Sequence, residues 1–86
     1  MKTIYKYQLS IYGRKLDLPI NTKILTVQLQ DQQIMLWAII DTEETTFETW
    51  NIGICCTGQE IDIEDGYIST VQIDSLVLHI FANKGV

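Results

Sequence analysis

The chain carries few side chains from which catalytic or metal chemistry could be assembled. Its one histidine, His79, sits beside Val77 and Phe81 at strand spacing. Imidazole can serve as a general base or a metal ligand, but one histidine does not make a site, so a packed or solvent-tipped strand residue is predicted. Cys55 and Cys56 are adjacent. On a strand they point to opposite faces and a mutual disulfide would be strained, so buried free thiols are expected, as in a reducing compartment. Cys56 also lacks a basic neighbour that would activate it as a nucleophile. The acidic cluster Glu60, Asp62, Glu64 and Asp65 has neither the glycine nor the terminal glutamate of an EF-hand, and no CxxC or HxxxH occurs. It reads as a solvated loop. No enzyme activity, metal or cofactor is expected.

Binding chemistry is better supplied. There is no P-loop and no GxGxxG, and six Lys and Arg residues on a chain of net charge −5 are too few for polymeric nucleic acid. A small nucleotide needs only a few cations and an aromatic platform. Lys6, Arg14 and Lys15 are candidates for the phosphate, with Trp37, Trp50 or a tyrosine such as Tyr5 for the base. Ordinary core packing is the competing role for both tryptophans.

Charge is segregated along the chain. Lys2, Lys6, Arg14, Lys15 and Lys23 face a single acid, Asp17, in the first 23 residues, whereas ten acids and no Lys or Arg lie between Asp31 and Asp74. Such asymmetry suits head-to-tail pairing of subunits or one basic and one acidic binding surface. Alternatively, strand pairing neutralises the two regions within one molecule. The acidic candidates for docking on a basic partner protein are Glu43 and Glu44 with Glu60, Asp62 and Glu64.

These groups must be positioned by strands. The central stretch Ile24 to Asp41 reads as two strands turning at Asp31 to Gln33. In its first arm Leu25, Val27 and Leu29 share the expected core face. The second arm loads both faces, with Ile34, Leu36, Ala38 and Ile40 on one and Met35, Trp37 and Ile39 on the other. A strand apolar on both sides requires a barrel, a second sheet or another subunit.

Around this pair, KTIYKYQL forms a strand, Gly13 turns the chain, and Lys15 to Leu18 makes a short strand ended by Pro19, which suits an edge. A third long strand starts near Thr46 with Trp50, Ile52, Ile54 and Cys56 as its core face. Within it Gly53 marks a bulge or a close approach. Thr57 to Gly66 is a long connection suited to function, with room for a short strand or helical turn. Tyr67 to Ile73 and Leu76 to Ala82 are strands around a tight turn at Asp74 and Ser75, and the tail Asn83 to Val86 is expected to fray.

The prediction is therefore an all-β, mainly antiparallel sandwich or barrel of six or seven strands, one domain over residues 1–86. At 86 residues, self-association often supplements the core. No apolar run reaches the ~18 residues of a membrane span, and Lys2, Tyr5, Lys6 and Gln8 stand where a signal core would lie. A soluble cytoplasmic protein is expected.

The opening MKTIYKYQL, LDLP, ILTVQLQ, LWAIID, the TG after Cys56, and the closing YISTVQID with LVLHIF together resemble a family of small, mostly phage-encoded proteins of unknown function. The resemblance spans nearly the whole chain and implies a phage accessory gene acting in a bacterial cytoplasm. Three readings follow. The first is a homo-oligomer sequestering a small anionic ligand, such as a nucleotide immune signal, at Lys6, Arg14, Lys15, Trp37 and Trp50. The second is a direct protein inhibitor acting through its acidic surface on a host defence protein. The third is a virion or assembly component.

Overall fold

The computed structural model describes residues 1–85. It contains seven strands, β1 (Lys2–Gln8), β2 (Arg14–Pro19), β3 (Lys23–Gln30), β4 (Gln33–Asp41), β5 (Phe47–Cys56), β6 (Tyr67–Ile73) and β7 (Leu76–Lys84). All pairings are antiparallel. One sheet has the order β1-β4-β3 and the other β2-β5-β7-β6. The all-β expectation holds, and no helix among the described residues is long and apolar enough to cross a membrane.

The two-faced strand is the centre of the smaller sheet. Ile34, Leu36, Ala38 and Ile40 are buried against the second sheet, where they meet Ile52, Val71, Leu78, Ile80 and Ala82. Apolar burial of this kind supplies the main driving force for the fold. Met35, Trp37 and Ile39 turn outward and are half-buried. The surplus apolar face anticipated in sequence is thus real, and it lies on the outside of the sandwich.

The first arm departs from simple alternation. Leu25 is an extra residue between Ile24, paired with Ala38, and Thr26, paired with Trp37. This bulge sends Ile24 towards the core and leaves Leu25 outside at 41% exposure. The expectation of a buried Leu25 is corrected accordingly, while Val27 is buried and Leu29 packs against the core as expected. A second bulge at Ile68 turns that side chain inward in β6. Gly53 is not a bulge. Its missing Cβ makes room for Ile63, whose side chain would stand 3.3 Å from any Cβ there.

The two sheets meet at the β3/β6 seam, where the Val27 amide donates to Ser69 Oγ at 3.1 Å and the Thr26 and Ser69 hydroxyls stand 3.4 Å apart. At the other side β1 and β2 are the free edges of their sheets. The long connection 57–66 has no strand or helix; it returns over the outward face of β5, anchored by Ile63 and by the Ala82 amide donating to the Gly66 carbonyl at 2.9 Å. The expected fraying is also corrected. Asn83 and Lys84 belong to β7, and the Gly85 amide donates to the Thr49 carbonyl at 2.7 Å; Val86 lies outside the described residues.

Candidate anion-binding cleft

Strand pairing neutralises only the start of the basic segment, where Lys2 stands opposite Asp41. Lys6 stands opposite Trp37, Arg14 opposite Ile52 and Lys15 opposite Asn51. Among the described residues, ion pairs join the N-terminal ammonium to Asp41 and Glu43, and Lys84 to Glu48. Asp17, the one acid within the basic segment, accepts a hydrogen bond from Thr49 Oγ1 at 2.7 Å.

Arg14 and Lys15 open β2 directly after the turn at Gly13, which has φ +65°. A side chain at Gly13 would stand 2.5 Å from the Ile52 carbonyl, so the turn can lie this close to β5 only with glycine. The Gly13 amide donates to the Ser10 carbonyl at 3.0 Å, and the Tyr12 amide to Ser10 Oγ at 3.2 Å. This turn presents Arg14 and Lys15, with Gln8, Leu9, Ser10, Leu16 and Ile52, to one cavity of about 210 Å³ at the open β1/β2 side. As neighbours in β2, Arg14 lies on the side of Leu16 and Ile52 and Lys15 on the opposite side. The chemistry at the hollow is therefore one guanidinium with a hydroxyl and an amide, which suits a phosphate-sized anion because arginine can bind two oxygens at once, and Lys15 adds positive charge from the other face.

An aromatic pair stands on β1, whose last residue, Gln8, lines this cavity, although neither ring does. Tyr5 and Tyr7 share the inner face of β1, with ring centroids 6.5 Å apart at 51°. Burial and then the adjacent Tyr5 push the Tyr7 phenol above its ordinary value, which keeps it neutral.

The five expected ligand residues therefore divide. Arg14 and Lys15 share the cleft. Lys6 and Trp37 form a separate cross-strand pair on the outward face of the other sheet, where Lys6 Nζ reaches across β4 to Gln30 Oε1 at 2.6 Å. Trp50 packs against the core with Lys84 Nζ 5.7 Å from its ring centroid. The acidic candidates divide as well. Glu43 holds the N-terminal ammonium at 3.3 Å, and the Glu44 carboxylate accepts the Thr45 and Thr46 amides at 3.0 Å each. Glu60, Asp62 and Glu64 lie in the 57–66 connection, at the other end of β5.

His79 is opposite Cys55 in the β5/β7 ladder. Its ring nitrogens nevertheless engage hydroxyls, Nε2 with Thr57 Oγ1 at 2.7 Å and Nδ1 with Thr70 Oγ1 at 3.0 Å, and Tyr67 Oη continues the chain 2.8 Å from Thr70. Sequence reasoning missed this network, because Thr57, Tyr67 and Thr70 come into reach only through the β6/β7 register and the return of the chain after β5. Cys55 and Cys56 are both free, and both are half-buried rather than fully buried. Glu60 and Asp62 line a cavity of about 310 Å³ under the 57–66 connection, together with Tyr12, Gly53, Cys55 and Phe81. Its carboxylates oppose anion binding there.

A family model described as a domain of unknown function (DUF7352) matches residues 1–86, and the chain belongs to that family. Comparison with curated proteins and with solved structures gives no match.

Proposed function

We propose that this DUF7352 protein is a non-catalytic, homo-oligomeric binding protein that takes up a small anionic ligand at the Arg14–Lys15 cleft. A phage-encoded protein that sequesters a nucleotide immune signal in an infected bacterial cytoplasm fits this chemistry. The observation that carries the reading is Arg14, unpaired with any carboxylate among the described residues, at a cavity it lines with Gln8 and Ser10, with the equally unpaired Lys15 beside it in β2. At about 210 Å³ the cavity is below the ~300–1,000 Å³ of pockets that enclose a whole small molecule. It suits the phosphate, leaving the base to a tyrosine of β1 or to a neighbouring copy.

Calorimetric titration with inorganic phosphate and a panel of linear and cyclic nucleotides tests the reading. Charge-assisted hydrogen bonds contribute about 1.5–3 kcal/mol each, so Arg14→Ala with Lys15→Ala is expected to weaken nucleotide binding by at least ~100-fold. A panel without a binder, or unchanged binding in the double variant, contradicts it. Capture of a host polypeptide that reversal of Glu60 and Glu64 abolishes would favour direct inhibition instead.

A further inference from the structure

We infer that copies of this chain associate head to tail, the outward face of β1-β4-β3 on one copy receiving the 57–66 connection of the next. The inference rests on the homo-oligomer part of the reading above and is independent of the ligand. The receiving face is apolar at its centre, where Met35, Trp37 and Ile39 are flanked by Ile4 at 57% and Leu25 at 41% exposure. Three lysines surround that centre: Lys2 and Lys6 from β1, and Lys23, paired with Ile39, from β3. Asp41, opposite Lys2 and held by the N-terminal ammonium at 3.0 Å, is the one acid in these rows of the sheet, so Lys6 and Lys23 are the two of these lysines that face no carboxylate across the ladder.

The matching surface is on the same molecule. Ile61 is 43% exposed and stands between Glu60 and Asp62, with Glu64 and Asp65 following. Ile63, two residues on, fixes the loop by packing over Gly53. An apolar side chain framed by carboxylates thus complements an apolar face framed by lysines.

The two surfaces cannot meet within one molecule. Gly53 faces away from the core, since Ile52 is buried and neighbouring strand residues point to opposite sides. The loop covering Gly53 therefore lies on the outside of the larger sheet, and the lysine-framed face lies on the outside of the smaller one. A contact between two different surfaces pointing in opposite directions is heterologous, and generates a ring or an open stack rather than a closed two-fold dimer. Two faces of this kind brought together by a two-fold axis would instead oppose lysine to lysine.

Complementation between two defective variants tests the arrangement. Ile4→Glu disables the face and Ile61→Glu disables the loop, both at exposed side chains. Sedimentation velocity and native mass spectrometry should show each variant alone at the monomer mass of 9.9 kDa. An equimolar mixture should form a complex of one copy of each and nothing larger, because only one competent face and one competent loop survive. As a second pair, Lys6→Glu with Lys23→Glu should dissociate the wild-type assembly, and Glu60→Lys with Glu64→Lys on the partner should restore it. A monomeric wild type, an Ile61→Glu variant that assembles normally, or a mixture that stays monomeric overturns the inference. The ligand titration is separate: loss of nucleotide binding with intact assembly would defeat the ligand reading alone.

Discussion

At the scale of the residue, Arg14 and Lys15 show what a sequence can and cannot announce. Their adjacency and the shortage of nearby acids were legible. That Lys6 and Trp50 would not join them was not legible, because partnership depends on which sheet each strand enters. Asp41 offers a test at the same scale. The Glu43 amide donates to its carboxylate at 3.1 Å and the N-terminal ammonium lies 3.0 Å away, and together they hold the carboxyl below its ordinary value. A depressed folded-state pKa contributes stability that is present above the unfolded-state value and is lost as pH falls through the folded one. Asp41→Asn should therefore lower stability at neutral pH and converge on the wild type as pH falls below about 4, the ordinary aspartate value, which flattens the acid limb of the profile. Thermal melts from pH 2 to 7 would show this, and an unaltered acid limb would argue against it.

At the scale of the element, turns and seams account for most of the difference between expectation and structure. The hairpin at Asp31 and Gln32 was placed correctly from its polar residues, yet both sit at positive φ, 52° and 64°. Both values fit the mirror-image turn that matches strand twist, a conformation usually given to Asn-Gly or Asp-Gly. Gln32→Gly should relieve that strain and raise stability by ~0.5–1 kcal/mol in denaturant titrations; a loss would show that Gln32 makes a compensating contact. The bulges at Leu25 and Ile68 were invisible because each preserves an apolar residue while reversing the face it occupies. Around one of them, the β3/β6 seam relies on the Ser69 hydroxyl. Ser69→Ala leaves the Val27 amide without this acceptor and should cost ~1–3 kcal/mol in urea unfolding. A neutral effect would mean that water replaces the hydroxyl at no cost.

At the scale of the whole molecule, the doubly apolar strand β4 correctly signalled both the second sheet and an outward face in excess of what one chain covers. Charge segregation also largely survived folding: Lys2 stands opposite Asp41, but Lys6, Arg14, Lys15 and Lys23 find neutral cross-strand neighbours, so lysines frame one side and carboxylates mark the other. The position of the acidic loop was beyond sequence reasoning. It follows from Ile63 settling over Gly53, a long-range contact that no local pattern encodes. The central claim, that the Arg14–Lys15 cleft takes a small anion on a homo-oligomer, is tested most directly by native mass spectrometry of the protein mixed with extract from phage-challenged bacteria. The prediction is a discrete oligomer carrying a nucleotide-sized mass per cleft, with that mass absent from the Arg14→Ala, Lys15→Ala double variant. An oligomer that gains no mass, or one whose bound mass persists in the double variant, would contradict it.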